Sequence, residues 1–278
     1  MTQTVADELI ELRGPRFHYR DWPSARADAP TLVLLHGYTG HARSWDAFAE
    51  AMTDRYRVVA LDQRGHGESG WAPADGYGIE DMADDLAALV KALGLKGFSL
   101  LGLSMGGMVT MEYAGRRPSE LAATVIVDIG PELMTSGTQA IQARAKESDV
   151  FPTKEAAFAW ARSANPVPPE DHQRHRVYNS LMRLETGEWT WRYDRALRSP
   201  GTLRPRNAAT AWTSCANIAV PTQLIRGELT DILAADVAKR MIETIPIATL
   251  VEVAGSGHSV PLDKPDGFRA AARDFLKG

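Results

Sequence analysis

Six short segments of this chain hold consecutive apolar residues and do not alternate: "TLVLLH" (31–36), "RVVALD" (57–62), "FSLLGL" (98–103), "ATVIVDIG" (123–130), "TQLIRG" (222–227) and "ATLVEVAG" (248–255). A strand with one wet face alternates apolar and polar residues. Runs that do not alternate fit strands buried on both faces, as in a parallel sheet covered by helices. Between the runs the period turns helical. "EDMADDLAALVKALG" (80–94) is apolar at 82, 86, 89, 90 and 93, carries acids in its first turns and ends at Gly94, which suits the helix dipole and a glycine cap. Strands alternating with helices predict an α/β fold, a mostly parallel sheet with helices on both faces. A chain of 278 residues, 44% of them hydrophobic, can fill one such core, with or without an inserted subdomain.

The alternation stops between about Pro131 and Trp212. There the text is polar, rich in arginine and aromatics, and holds prolines at 152, 166, 168, 169, 200 and 205. A second composition between two strands predicts an inserted, mainly helical cap over the end of the sheet. Residues 131–212 then form the cap, and residues 1–130 and 213–278 the core domain.

Several function classes lose ground on composition. The net charge is −4 with no long run of one sign, which leaves no electrostatic footprint for nucleic acid or an anionic membrane. Cys215 is the only cysteine, so there is no internal disulfide and no cysteine-rich metal site. The seven histidines are scattered, and neither a metal nor a cofactor is expected. "MTQTVADELIELRG" is acidic and mixed, unlike a signal peptide, and the apolar runs are too short to span a bilayer. The expectation is a cytoplasmic protein acting on a small molecule, its oligomeric state open.

One corner of the sequence carries chemistry. Gly102-Leu103-Ser104-Met105-Gly106 matches the G-x-S-x-G elbow, in which glycines permit a tight strand-to-helix turn that pushes the serine hydroxyl outward. A strand-like run precedes it and a helix-like run (105–117) follows; a serine helix cap in a glycine-rich turn is the plainer alternative. A serine hydroxyl needs a base, and its oxyanion intermediate needs two backbone N–H donors. Met105, just after the serine, offers one donor. The loop "LLHGYTG" (34–40) offers the other at Tyr38. His258, in a glycine-rich loop after the last strand-like run, is the favoured base over His36, His41, His66, His172 and His175.

Taken together, "HGYTG", "LDQRGHGESG", "GLSMGG", "VDIGPE", "RGELTDIL" and "GSGHSVPLDKP" resemble the α/β-hydrolase superfamily, in family order and across most of residues 15–278. The resemblance implies the α/β-hydrolase fold and a Ser…acid…His triad. Two acids fit that order. Asp231 follows the run 222–227, where most members place the acid, but the usual register falls on Thr230, one residue earlier. Asp128 ends the run 123–128, where a minority place it, and is favoured. "VALDQRGHGES", "VDIGPE" and Arg144 in "AIQARAK" look like the acetamidomethylene succinate hydrolase subgroup, which cleaves an amide-like bond in a dicarboxylate. The stretch "ARSANPVPPED" preserves no second carboxylate-binding arginine of that subgroup.

The cap offers further candidates. Arg144, Arg162 and Arg176 could meet a substrate carboxylate. "EWTWRYD" (188–194) sets Trp189, Trp191 and Tyr193 at every second position, on one face if extended, to line an acyl pocket or to pack the cap. The expected function is a serine hydrolase cleaving a small carboxylic ester, lactone or related acyl bond. Hydrolysis of a carbon–carbon or amide bond in a small carboxylate-bearing catabolite uses nearly the same parts. A hydrolase-fold receptor would keep them without turnover.

Overall fold

A computed structural model describes residues 4–145, 147, 149–199, 202 and 207–277, without the side chains at 141, 142, 144 and 145. The chain opens on an antiparallel pair, β1 (Ala6–Glu11) and β2 (Arg16–Trp22). β3 (Thr31–Leu35), β4 (Arg57–Leu61), β5 (Phe98–Leu103) and β6 (Leu121–Val127) follow. Three short strands come next, β7 (Val150–Phe151), β8 (Leu181–Arg183) and β9 (Trp189–Trp191). β10 (Thr222–Gly227) and β11 (Ala248–Val253) complete the set. The main sheet runs β1-β2-β4-β3-β5-β6-β10-β11, parallel from β4 to β11.

Among the described residues the first helices are α1 (Asp46–Met52), α2 (Ile79–Ala92), α3 (Met105–Gly115), α4 (Thr135–Ala145) and α5 (Lys154–Ala164). They are followed by α6 (Glu170–Asn179), α7 (Ala208–Asn217), α8 (Ala235–Thr244), α9 (Val260–Asp263) and α10 (Pro265–Phe275). The helices cover both faces, and this is why the strands do not alternate. In β3, Leu32 and Leu34 join the core around α1 and α10, whereas Val33 and Leu35 join the core around α2, α3 and α8. Each such side chain, withdrawn from water, contributes about 1.5–3 kcal/mol. The six apolar runs of the sequence are β3, β4, β5, β6, β10 and β11. The first two strands escape a search for apolar runs because β2 buries His18 and Arg20 and β1 is largely exposed.

The register of the sheet assembles one end of it. Leu103 of β5 lies opposite Val127 of β6, so the next residues, Ser104 and Asp128, leave the sheet side by side. Ser104 N–H donates to Val127 O (3.0 Å) and Asp128 N–H to Ile225 O (2.8 Å). β10 lies between β6 and β11, which brings the loops carrying Thr230 and His258 to the same end. Functional groups gather at the carboxyl ends of the strands in α/β sheets.

The segment between β6 and β10 builds a small core of its own from Phe151, Ala157, Phe158, Val177 and Leu181. It is mainly helical, with the small antiparallel sheet β7-β9-β8 added. α7 packs instead against α3, with Cys215 in the main core. The segment is stitched to the loop after β4: Gly67 N–H donates to Arg192 O (3.0 Å) and Asp194 N–H to Gly65 O (2.7 Å).

Candidate active site

The turn from β5 into α3 puts Ser104 at φ 53°, ψ −116°, a conformation that costs a non-glycine residue about 1–3 kcal/mol. Its neighbours make the turn possible. A Cβ on Gly102 would overlap the Gly106 carbonyl, and one on Gly106 would stand 2.5 Å from Leu35 O. The glycines thus let the start of α3 pass between its own strand and β3. Their absence of side chains, more than their flexibility, is what the corner requires.

His258 reaches this corner from the loop after β11. Ser104 Oγ lies 2.9 Å from His258 Nε2, and His258 Nδ1 lies 2.8 Å from Asp128 Oδ2. Asp128 is fully buried and sits at φ 51°. A carboxylate oxygen accepts, so the facing Nδ1 carries the proton and Nε2 is left to accept from the serine hydroxyl. Asp128 Oδ1 accepts from Gly227 N–H (2.8 Å), and Oδ2 also accepts from Thr230 Oγ1 (2.5 Å). Thr230 occupies the register that the family resemblance reserves for an acid. Asp231 is exposed, and among the described residues its carboxylate makes no bond to His258. The sequence reading missed Thr230 as a site residue, although the displaced register was its signal.

The loop after β3 comes close to the serine: a Cβ on Gly37 would stand 3.2 Å from Ser104 Cβ. The N–H groups of Tyr38 and Met105 donate to no described residue. The buried His36 braces this loop. Its Nε2 accepts from Gln63 N–H (3.0 Å), its Nδ1–H donates to Gly37 O (2.8 Å), and Gln63 Nε2 donates to His36 O (2.6 Å). Burial, reinforced by nearby His66, holds the His36 pKa down at about 3, so the ring remains neutral. Tyr38 Oη donates to Leu197 O (3.0 Å), tying the loop to the cap.

The "LDQRGHGESG" motif supplies the floor rather than the chemistry. Asp62 accepts from Ala42 N–H (2.5 Å), Glu68 N–H (2.9 Å) and His18 Nδ1 (2.7 Å). Burial alone would raise its pKa; His18, His36 and these donors more than offset that and bring it to about 2. His66 is buried, donates from Nδ1 to Arg64 O (2.9 Å) and stacks on Tyr193.

A cavity of about 900 Å³ opens above Ser104 and His258, walled on the cap side by Trp191, Tyr193, Arg176 and Arg198. The aromatic stripe divides. Trp191 lines the cavity, whereas Trp189 packs under Lys154 Nζ at 4.5 Å, outside the lining. Arg162 is occupied by Pro168 O (2.5 Å) and Gln173 Oε1 (3.1 Å). Arg144 belongs to α4, its side chain lying outside the described residues. Among the described residues no group of three His, Cys, Asp or Glu side chains could hold a metal ion, and no helix is long and apolar enough to cross a membrane.

Residues 30–265 match the family model described as the alpha/beta hydrolase fold. The chain belongs to the α/β-hydrolase family. It is similar to a 3-hydroxybutyrate-oligomer hydrolase of Cupriavidus necator, 29% identical over 94% of this chain and 92% of that protein. It is also similar to an esterase of Mycobacterium tuberculosis, 28% identical over 89% of this chain and 83% of that one. Among solved structures, E-2-(acetamidomethylene)succinate hydrolase superposes with a TM-score of 0.89 over 99% of this chain and 100% of its own, at 23% identity; this is a likeness of fold. By family and by these relatives the protein is a hydrolase.

Proposed function

We propose that the protein is a serine hydrolase that cleaves a small carboxylic ester, lactone or related acyl bond through an acyl-enzyme. The observation that carries this reading is the unbroken chain of hydrogen bonds Ser104–His258–Asp128, at 2.9 and 2.8 Å, at the foot of a cavity of small-molecule size. Ser104 Oγ attacks the acyl carbon while His258 Nε2 takes its proton. Asp128 holds the Nδ1–H tautomer and stabilises the imidazolium. The carbonyl oxygen, now an anion, is met by the Tyr38 and Met105 N–H groups. His258 returns the proton to the leaving group as the acyl–heteroatom bond breaks. Water, deprotonated by the same nitrogen, then attacks the acyl-serine, and the carboxylic acid leaves as Ser104 regains its proton. The esterase among the relatives supports this choice of bond. Residues 131–212 act as the lid that selects what enters.

A fluorophosphonate probe tests the nucleophile. One equivalent should add to the wild type, by intact mass, and none to Ser104→Ala, which should also lose turnover of short-chain aryl esters. An alanine variant that is labelled at the wild-type rate and still hydrolyses these esters overturns the reading.

A further inference from the structure

Among the described residues, four arginines line the cavity above Ser104: Arg43, Arg176, Arg198 and Arg269. Three have acidic partners. Arg43 donates to Asp7 (2.9 Å), Arg198 pairs with Asp149 (3.2 Å), and Arg269 donates to Asp266 (2.8 Å). The guanidinium of Arg176 makes no hydrogen bond or ion pair with any described residue. The carboxylate whose field acts on it is that of Asp263, whose hydrogen bonds run instead to Asn165 Nδ2 (2.9 Å, Oδ1) and Gly257 N–H (2.9 Å, Oδ2).

The position of Arg176 is nonetheless fixed. It lies on α6, and its carbonyl accepts from His41 Nε2 (3.1 Å), Ser180 N–H (3.0 Å) and Ser180 Oγ (2.8 Å). His41 directly follows the loop that carries Tyr38, so α6 is anchored to that loop. Arg176 is half-buried and a guanidinium remains charged in proteins, so an anionic group entering the cavity would find a charged donor there. Burial lowers the pKa of Arg176 below its ordinary value, with Asp263 opposing. A planar fork of donors in a cavity matches the two oxygens of a carboxylate.

We infer that Arg176 binds a carboxylate of the substrate, so that this hydrolase acts on small molecules carrying a carboxylate in addition to the acyl bond that is cut. This rests on the serine-hydrolase reading above and adds a substrate class to it. Arg176 is a specificity-determining residue and takes no part in the bond changes.

The test compares mono-4-nitrophenyl adipate with its methyl ester, equal in length and differing in charge, and repeats the pair with glutarate. The wild type should favour the anion, and Arg176→Gln should lower the anion-to-neutral ratio of kcat/KM by about 10- to 100-fold, chiefly through KM, the scale of one charge-assisted contact. Arg176→Lys should keep part of the preference. A wild type without preference for either anion, or a folded Arg176→Gln that loses equally on both esters of each pair, overturns the inference. In the second case Arg176 only packs or balances Asp263. Should the glutamine variant fail to fold, inhibition of the wild type decides: glutarate should inhibit competitively and glutaramide far less, and equal inhibition overturns the proposal. Dependence of both ester activities on Ser104 is scored separately, so loss of the carboxylate preference leaves the nucleophile standing.

Discussion

Among the described residues Asp128 receives three donors: Gly227 N–H at the end of β10, Thr230 Oγ1 in the loop that follows it, and His258 Nδ1 in the loop after β11. Its amide could not accept all three, since one oxygen would become an NH₂ facing a donor. Asp128→Asn should therefore keep its fold by circular dichroism and lose about 10⁴-fold in kcat, the cost of the wrong imidazole tautomer. Asp231→Asn should stay within about tenfold of the wild type, because an exposed carboxylate acts on the site only through screened charge. A folded, nearly inactive Asp231→Asn beside an active Asp128→Asn would reverse the assignment. Both acids were legible as candidates in the sequence. Neither local text nor spacing could tell that Thr230, at the usual acid register, turns its hydroxyl to Asp128.

The elbow is where sequence and element agree most closely, because its demands are local. Gly102 and Gly106 are needed for their missing Cβ atoms, and Gly94, at φ 61° after α2, for its backbone alone, with nothing within 4 Å of a Cβ placed there. Gly102→Ala should destabilise by about 1–3 kcal/mol or more, as overpacking does, and should abolish ester turnover because Ser104 is displaced. Gly94→Ala should cost about 1–2 kcal/mol of backbone strain with kcat/KM unchanged. Thermal melts and ester kinetics on the two variants check this; equal activity losses would mean that the elbow glycine has no special role. By contrast β1 and β2 were not visible as elements, since β2 buries His18 and Arg20, with His18 held between Asp62 and Asp7, and a search for apolar runs passes over them.

Across the whole molecule, buried histidines set how stability follows pH. Burial holds His36 at about 3 and His41 and His66 at about 4, below the unfolded value of about 6.5. Their contribution is full above pH 6.5 and is lost as pH falls toward 4, because the unfolded chain then binds protons that the folded one refuses. Each should contribute a slope of about 1.4 kcal/mol per pH unit in that window. Two others have the opposite sign. Burial lowers the His18 pKa, but Asp62 and Asp7 outweigh it and leave the value raised; His175 is raised by its bond to Asp46. Their contribution is present below pH 6.5 and fades above it. Urea unfolding from pH 4 to 8.5 should therefore show a maximum near pH 6.5 with a steeper acid limb, and a flat acid limb would refute the burial of these rings. None of this was readable from histidines scattered along the chain, whereas much of the architecture was. Sequence by itself determined the both-face strands, the helices between them, the glycine corner around Ser104 and the break in composition after Pro131, because each depends on residues within a turn or strand of one another. Tertiary structure alone decided which carboxylate meets His258, which arginine faces the cavity without a partner among the described residues, and which tryptophan lines it. Those outcomes rest on contacts between residues 130 and 154 positions apart, as in the Asp128–His258 and Ser104–His258 bonds, and only the register and order of the sheet bring such residues together.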